Sequence, residues 1–571
     1  MRNNQRKRWQ VESRISSQAD ENLKDYPPVL RQILFNRGYS TPEAAQEYLE
    51  ARQPKGADPD NMLGIGEAVE RIKWAISHNE PIAVYGDYDV DGVTATALLL
   101  HVLGEQGANV QGYIPNRFDE GYGLNCDALD YLKSQGVRLV ITVDCGIRSV
   151  LEAKHAQRLG IDLIISDHHH PGAAMPPAIA VINPKQASDA YPDKDLAGVG
   201  LAYKLASALA ARSSSSANQA ADIEHLLDLV ALGTVADLAP LVGENRYLVR
   251  NGLRYLQKPY RQGVMALIGV SGLTPEQIKA SHIGFALGPR LNAAGRLESA
   301  LDALTLLTTP NVAEAARLAQ QLEIQNRERQ EITRQIQQSA EKYILENDPD
   351  ALLFFAAHPS YNPGVVGLAA ARLSETYYRP AIVAHQGDEF TRGSCRSIPE
   401  FHITQALDEC ADLLEHHGGH AAAAGFTVRN ENVPELVERL KSIAEQKLSD
   451  KDLRQILKAD LEISLRELKP ELLRYLEWLQ PTGYGNRQAY FISRDLKPLS
   501  VRAIGRDNAH LKFAVTDGWI TYDAIAFQQG RWVGCMPPRV DIYYTFELNT
   551  YNGRSSLQLN VRDLKPSGEP D

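Results

Sequence analysis

The chain has 571 residues, enough for about four domains at a typical size of roughly 150 residues each. Hydrophobic residues make up 44% and charged residues 23% of it, and no apolar run approaches the roughly 18 residues of a membrane span. The net charge of -11 means that a nucleic acid would have to bind in a locally positive groove or through bound cations. Five scattered cysteines without a CxxC pair exclude a disulfide framework and a thiolate zinc site, and they favour a cytoplasmic protein.

Between residues 82 and 184, short β-rich segments alternate with helical stretches. This alternation is typical of an open, largely parallel α/β sheet. Three of the segments run directly into aspartates, namely Asp87, Asp144 and Asp167. Because ligands of such sheets bind beyond the carboxyl ends of the strands, we expect these carboxylates to share one crevice.

A long helix is predicted next. Residues 311–348 contain no Gly or Pro and follow Thr309-Pro310, which has the form of an N-cap and first helical residue. Such a helix would be roughly 50 Å long, enough to link two domains across a cleft. A coiled-coil partner helix is disfavoured, because the apolar residues do not sustain heptads. A second α/β region follows from 351 to about 448.

From residue 461 onward the segments become short and alternating, and aromatic residues are concentrated in 490–571. This pattern predicts a small β-barrel whose aromatics form either its core or a base-stacking platform, and we favour the core. The predicted organisation is an N-terminal arm with a small helical region (1–55), a catalytic α/β domain (56–310), the connecting helix (311–348), a second α/β domain (349–450) and the barrel (451–571).

The segment GDYDVDG at 86–92 places Asp87, Asp89 and Asp91 at alternate positions after a strand. Extended residues two apart face the same side, so three carboxylates would repel one another unless a cation lies between them. Hard oxygen donors suit Mg²⁺ or Mn²⁺. A calcium loop is disfavoured because Leu98 stands where its twelfth-position glutamate would be, and a solvated acidic turn is disfavoured by the apolar flanks.

Histidines and a further acid join this group. Asp167-His168-His169-His170 ends a third strand, and histidine among carboxylates favours a transition ion such as Mn²⁺ at one of two adjacent sites. The alternative for the histidine run is a polar loop. Asp237 lies within the apolar segment DLVALGTVADLAPL, where an unpaired carboxylate would be costly. A bound metal would explain its presence.

Taken in order, these segments resemble the DHH phosphoesterases, and within that family the single-strand DNA exonucleases. The segments that carry the resemblance are GDYDVDG, IPNRFDEGYGL, TVDCGI, SDHHH, ALGTVADLAPL and GPRLNAAGRL. Later segments, NPGVVGLAAARL, GSCRS and HHGGHAAAAGF, resemble the substrate-binding domain associated with DHH domains. The resemblance implies two α/β domains joined by a long helix, followed by a C-terminal OB-fold barrel.

The resemblance also implies the site residues. It places two divalent ions, Mn²⁺ or Mg²⁺, on Asp87, Asp89, Asp91, Asp144, His168 and Asp237. Asp144 would bridge the ions and act in catalysis with His168 and His169. Phosphate at the 5′ end of the strand would be held by Arg290, Ser394 and Arg396, with Asn292 and His420 lining the same cleft. A surface salt bridge is the alternative for Arg290. The chain departs from the family pattern at Cys145, Asn362 and PTGYGNRQ, which bears on substrate contacts rather than on the ligands.

The activity implied is 5′ to 3′ hydrolysis of single-stranded DNA to 5′-mononucleotides in DNA repair and recombination. The enzyme is expected to be a monomer without a membrane partner, with single-stranded DNA, single-strand-binding protein and a RecQ-type helicase as partners. The alternatives are a phosphodiesterase for short oligoribonucleotides or cyclic dinucleotides, an inorganic pyrophosphatase, and an inactive DNA-binding scaffold. The barrel argues against the small-substrate enzymes, and the costly carboxylate cluster argues against the scaffold.

Overall fold

The computed structural model describes residues 7–116, 120–121, 123–213, 220–297, 299–551 and 554–570. The chain divides into two compact units. One comprises Val11–Glu323 together with Lys458–Pro570, and the other comprises residues up to Gln10 together with Ile324–Leu457. The first unit therefore contains two segments that are far apart in the sequence.

The N-terminal region is short and mostly helical. It comprises β1 (Arg8–Val11), α1 (Ser17–Asn22), α2 (Pro28–Asn36) and α3 (Pro42–Glu50). The start of α3 follows from its sequence, because the Thr41 side chain accepts a hydrogen bond from the Ala44 backbone N–H and Pro42 occupies the first turn. The apolar residues of these helices are buried in a core that they share with the C-terminal barrel.

The catalytic domain contains a five-stranded parallel sheet of order β3-β2-β4-β5-β6, which confirms the predicted open α/β sheet. Its strands are β2 (Ile82–Gly86), β3 (Val110–Tyr113), β4 (Leu139–Val143), β5 (Asp162–Ser166) and β6 (Ala180–Ile182). Every residue of β2 and β4 is buried, as expected where helices cover both faces of a sheet. All five carboxyl ends lie at the same edge.

The same domain contains the following helices. They are α4 (Ile65–Ser77), α5 (Val90–Glu105), α6 (Cys126–Ser134), α7 (Val150–Leu159), α8 (Gly198–Ser213), α9 (Leu227–Ala236), α10 (Gly243–Leu256), α11 (Gln262–Val270), α12 (Ala280–His282), α13 (Gly288–Leu297) and α14 (Leu301–Thr308). A π-helical segment, Ile283–Leu287, leads into α13. Helices α5 and α9 pack closely, since a Cβ added at Gly233 would lie 2.3 Å from Thr94 Oγ1.

The predicted long helix is α15 (Val312–Asn347), with 36 residues. Its start differs from the expectation. Asn311 rather than Thr309 caps the helix, because the Asn311 side chain accepts hydrogen bonds from the backbone N–H groups of Ala313 at 2.9 Å and Glu314 at 3.1 Å. Within the described part of the chain, no helix combines the length and apolarity needed to cross a membrane.

The second unit contains a five-stranded sheet of order β10-β11-β9-β8-β7, in which only the β7–β8 pair is parallel among the described pairings. Its elements are β7 (Phe354–His358), α16 (Val366–Tyr377), β8 (Ala381–Gln386), β9 (Phe390–Arg396), α17 (Ile403–Asp408), β10 (Leu414–His420), β11 (Ala423–Arg429) and α18 (Val433–Leu448). This is the second α/β domain expected from the sequence.

The C-terminal region is a closed barrel. After β12 (Ile456–Ala459), it comprises β13 (Leu461–Glu462), α19 (Pro470–Glu477), β14 (Phe491–Ile504), β15 (His510–Thr516), β16 (Thr521–Ala526), β17 (Val540–Tyr551) and β18 (Arg554–Pro566). Strands β14, β15, β16, β18 and β17 pair in that order, and β17 pairs again with β14. The predicted OB-fold barrel is confirmed.

Most of the aromatic side chains in the described barrel form its core, as we favoured. Phe491, Phe513 and Tyr544 are fully buried, whereas Trp519 is 79% exposed and Phe527 is 47% exposed. The N-terminal helices contribute to the same core through their leucines and isoleucines, namely Leu23, Leu30, Ile33, Leu34 and Leu49. The barrel is therefore completed by residues from the opposite end of the chain.

One buried arginine connects these parts with the catalytic domain. Arg246 on α10 is 2% exposed, and its guanidinium lies 4.2 Å above the ring of Tyr48. It donates hydrogen bonds to the backbone carbonyls of Tyr48, Trp478, Leu479 and Pro481 at 2.9–3.1 Å. A single side chain thus satisfies carbonyl groups from α3 and from the segment that follows α19.

Candidate metal centre

The first carboxylates lie in the turn between β2 and α5. Asp89 is the N-cap of α5, and its Oδ1 accepts hydrogen bonds from the backbone N–H groups of Asp91 at 2.9 Å and Gly92 at 3.1 Å. Gly92 permits the tight turn, because a Cβ there would lie 2.4 Å from the carbonyl oxygen of Asp87. The glycine of the motif therefore fixes the positions of Asp87 and Asp89.

Asp91 is fully buried and is held by a second helix. Its Oδ2 accepts a hydrogen bond from Gly198 N–H at 2.6 Å, and its Oδ1 accepts one from Val199 N–H at 2.8 Å. These donors form the first turn of α8, where the helix dipole favours a negative charge. Burial and the neighbouring Asp89 nevertheless raise the pKa of Asp91 to about 7.

Asp144 follows β4 in a left-handed backbone conformation, with φ of 63°. Such a conformation is uncommon for residues other than glycine, and it turns the chain away from the strand direction. The side chain is buried at 2% exposure, and its backbone N–H donates to Ser166 O at 3.0 Å. Burial and the charges of Asp91 and Asp89 raise the pKa of Asp144 well above its usual value.

His168 and His169 follow β5 and have different surroundings. His168 Nε2 lies 3.1 Å from Asp144 Oδ1, 3.8 Å from Asp237 Oδ2 and 3.9 Å from Asp91 Oδ2. Burial and the charge of His169 lower the pKa of His168 to about 3, which favours the neutral imidazole. Asp237 itself is the C-cap of α9, and burial together with the charge of Asp91 raises its pKa to about 9.

His169 is oriented by Asp167. The Oδ1 of Asp167 accepts hydrogen bonds from the backbone N–H of His169 at 3.0 Å and from its Nδ1 at 2.7 Å. The Oδ2 accepts a third from Ile147 N–H at 2.9 Å. Although burial disfavours the charged imidazole, the Asp167 carboxylate outweighs this effect and raises the pKa of His169.

The seven side chains predicted for the metal site and its catalytic support converge at this edge of the sheet. Their ligand atoms form three groups, and within each group the atoms lie within 4.8 Å of one another. The groups are formed by Asp87, Asp89 and Asp144, by Asp91, His168 and Asp237, and by Asp144, His168 and His169. The first two groups share no residue, and the third connects them. The arrangement offers two adjacent metal positions with Asp144 between them.

The donor set fits divalent cations. Asp144 Oδ1 and His168 Nε2 are buried, lie next to each other, and make no hydrogen bond to any of the described residues. Buried polar atoms without such partners are costly, and burial together with the neighbouring carboxylates raises the pKa values of Asp144 and Asp237. A cluster of carboxylates that includes an imidazole is suited to Mg²⁺ or Mn²⁺.

Two residues that sequence reasoning missed support the histidines. Asn183 Nδ2 donates to His169 O at 2.8 Å, and Lys185 Nζ donates to His168 O at 2.7 Å. Both follow β6 at the same edge of the sheet. The strand-end rule that identified Asp87 and Asp144 would have found them had it been applied to the segment AVINPK.

Two of the predicted substrate residues belong to the same compact unit as the metal centre. Arg290 and Asn292 lie on α13. The Arg290 guanidinium donates from Nε to Glu323 Oε2 at 2.7 Å and from Nη1 to Ala286 O at 2.8 Å. The ion pair with Glu323 is little exposed, so Glu323 fixes the orientation of the Arg290 guanidinium. Its role toward phosphate stays a prediction.

Ser394, Arg396 and His420 belong to the other unit. Arg396 Nη1 donates to Ser394 Oγ at 3.3 Å and to Cys395 O at 2.8 Å. Both side chains lie beside the first turn of α16, since a Cβ at Gly367 would be 2.8 Å from Ser394 Oγ and 3.3 Å from Arg396 Nη2. His420, at the end of β10, is exposed. Their substrate contacts also stay predictions.

Two of the departures from the family pattern have structural partners. The carbonyl of the buried Cys145 accepts a hydrogen bond from Thr142 Oγ1 at 2.8 Å. Asn362 Oδ1 accepts one from Gly364 N–H at 2.8 Å, which stabilises the turn before α16. Neither residue replaces a member of the metal centre.

Comparison with known proteins agrees with this geometry. Residues 81–234 match the model of the DHH family N-terminal domain, residues 350–446 match the DHHA1 domain, and residues 459–563 match the RecJ OB domain. The three matches define a DHH phosphoesterase with its associated domain and a C-terminal barrel.

Individual relatives identify a family within this class of proteins. The chain is 39% identical to the single-stranded-DNA-specific exonuclease RecJ of Bacillus subtilis over 95% of this chain and 68% of that protein. It is 36% identical to the exonuclease of the same name from Salmonella typhimurium, over 98% and 99% of the two chains. The crystal structure of RecJ in complex with Mn²⁺ from Thermus thermophilus matches with a TM-score of 0.85 and 30% identity, covering 99% of this chain and 80% of that one. The chain belongs to the RecJ family.

Proposed function

We propose that this protein is a metal-dependent exonuclease specific for single-stranded DNA, which hydrolyses phosphodiester bonds from the 5′ end and releases 5′-mononucleotides in repair and recombination. The observation that carries the proposal is the convergence of five aspartates and two histidines at one edge of the parallel sheet, with Asp144 shared between the groups of ligand atoms. Membership of the RecJ family supports the same activity.

The ligands divide between two positions. Asp87 and Asp89 would hold one ion, and Asp91, His168 and Asp237 would hold the other, with Asp144 as the bridging carboxylate. Two divalent ions there would supply an activated water and stabilise charge on the phosphoryl group and the leaving oxygen. The protein's own contribution is positional, because the turn at Gly92 and the first turn of α8 fix the carboxylates before substrate binds.

His169 is suited to proton transfer. Its Nδ1 donates to Asp167, so Nε2 is the atom that would exchange a proton with the reacting groups. The Asp167 carboxylate raises the pKa of His169 and so favours the protonated imidazole, from which the departing 3′ oxygen could be protonated.

Strand polarity would come from the residues expected to bind phosphate. Ser394 and Arg396 lie beside the start of α16, where a hydroxyl, a guanidinium and backbone N–H groups suit an anion. We assign phosphate binding to them and to Arg290, with Asn292 and His420 as further substrate contacts. The family resemblance also supports single-strand-binding protein and a RecQ-type helicase as partners of a monomeric, cytoplasmic enzyme.

Labelled oligonucleotides test this proposal. Single strands and duplexes carrying a label at the 5′ or the 3′ end are incubated with Mg²⁺, Mn²⁺ or EDTA. We expect mononucleotides from the 5′ end of single strands only, with no product in EDTA. Asp144→Asn should remove the activity, and Asp130→Asn, which changes an exposed aspartate on α6, should retain it.

Three outcomes would contradict the proposal. Cleavage restricted to di- and trinucleotides or cyclic dinucleotides would identify a small-substrate phosphodiesterase. Binding without cleavage would identify a scaffold. Equal activity of the Asp144→Asn variant and wild type would refute the assignment of the metal centre.

A further inference from the structure

A second group of potential metal ligands lies within the catalytic domain, outside the centre described above. His101 and Glu105 are four residues apart on α5 and therefore share one face of that helix. His225 lies just before the start of α9. One ligand atom from each of the three residues lies within 4.8 Å of the others.

The position of this cluster in the fold is informative. Helix α5 carries Asp91 in its first turn and Glu105 in its last, about 20 Å away at 1.5 Å per residue. Helix α9 is preceded by His225 and capped by Asp237. The same two closely packed helices thus bring catalytic carboxylates together at one end and the His–Glu–His cluster together at the other.

The chemistry of the cluster differs from that of the catalytic centre. Two imidazoles and one carboxylate are a donor set typical of Zn²⁺ and similar borderline ions, whereas Mg²⁺ prefers oxygen ligands. Burial and the charge of Arg261 lower the pKa of His101 to about 4, so its imidazole is neutral at physiological pH. Glu105 and His225 also line a cavity of about 730 Å³, which gives room for water at a remaining coordination position.

Arg261 contacts His101 in the cluster, and its charge is already compensated. Its Nε donates to the buried Asp228 Oδ2 at 3.1 Å, and its other nitrogens donate to Leu307 O at 3.2 Å and Tyr260 Oη at 2.8 Å. Its contact with His101 Nε2 is longer, at 3.3 Å. Metal binding at His101 would replace this contact, and the arginine would keep its other three acceptors.

From this geometry we propose that His101, Glu105 and His225 form a binding site for a transition-metal ion of the Zn²⁺ type, which ties the C-terminal end of α5 to the N-terminal end of α9. The site is structural, because the catalytic carboxylates lie at the opposite ends of these helices. The ion would stabilise the helix pair whose other ends carry Asp91 and Asp237.

The metal stoichiometry of the 571-residue chain tests the proposal. Wild type, His225→Ala and Glu105→Gln are dialysed to equilibrium against Zn²⁺ in the presence of excess Mg²⁺, and the bound zinc is quantified. The control is His155→Ala, which removes a histidine that contacts Asp130 on the surface. We expect both cluster variants to bind one zinc equivalent fewer than wild type and the control.

A second measurement is independent of stoichiometry. Zn²⁺ should raise the melting temperature of wild type and of His155→Ala by more than that of Glu105→Gln. Glu105 is exposed, so Glu105→Gln should leave the fold intact. This variant therefore tests the proposal even if His225→Ala does not fold. Equal zinc content and equal thermal shifts in wild type and Glu105→Gln would overturn the proposal and leave the cluster a network of polar contacts.

Discussion

Replacing Arg246 by Met removes the guanidinium that connects α10 with α3 and with the segment after α19, while retaining an unbranched apolar side chain in place of the arginine's aliphatic part. Four carbonyls lose a hydrogen bond from a charged donor, although those of Tyr48, Leu479 and Pro481 each keep a second donor. At about 1.5 kcal/mol for each hydrogen bond to a charged group, the loss is about 6 kcal/mol. Part of this loss is offset, because burying the Arg246 charge is itself unfavourable. Burial lowers the Arg246 pKa from 12.5 to about 10, which corresponds to a cost of about 3 kcal/mol, and the uncharged methionine does not have this cost.

We therefore expect the variant to lose about 3 kcal/mol of unfolding free energy in urea titrations. The matched control is Arg254→Met on the same helix, where an exposed arginine donates to Asn251. That change should cost less than about 0.5 kcal/mol, as is usual at the surface. If the two variants had equal stability, the buried arginine would not connect these segments in the way described.

Three further predictions concern the metal centre. Without metal, the melting temperature should fall as the pH rises from about 4 to about 9, because Asp237, with a folded-state pKa of about 9, binds its proton more tightly in the folded than in the unfolded chain. The stabilisation by Mg²⁺ should correspondingly increase with pH. A stabilisation by Mg²⁺ that does not depend on pH would contradict this prediction. Asp167→Asn should lower the pKa of His169 and shift the pH profile of kcat to lower pH with little change in KM, whereas an unchanged profile would exclude the proton-transfer role. Gly92→Ala should abolish metal binding measured by calorimetry, while Gly104→Ala, where a Cβ meets nothing within 4 Å, should leave it intact.

The parts of the site that could be predicted from the sequence depend on local rules. Asp87 and Asp144 were found because strand ends of a parallel sheet share an edge, and this rule requires no knowledge of distant contacts. The two backbone N–H groups that bind Asp91 come from α8, more than 100 residues further along the chain. No hydrophobic periodicity in the sequence predicts this contact. The start of α15 was misplaced for another reason, since both Thr309 and Asn311 are suitable caps and only the backbone path decides between them.

The common core of the N-terminal helices and the barrel was also beyond sequence reasoning. The apolar faces of α2 and α3 show that these helices pack against something, but their pattern does not identify the partner. The same limit applies to Arg246, whose carbonyl acceptors carry no side-chain signature. Long-range packing of this kind depends on the whole fold rather than on any one segment.

The shared core has a consequence for synthesis on the ribosome. The catalytic domain can bury its own core once residues up to Leu322 have emerged, because Leu322 is the last member of that core along the chain. Leu30 and Leu34 must instead wait for Phe491 and the rest of the barrel, more than 400 residues later. At about 5 to 20 residues per second the delay is roughly 20 to 90 s. During that time the helices α2 and α3 expose apolar surface that a chaperone would be expected to cover, so a segment translated before the catalytic domain completes its folding after it.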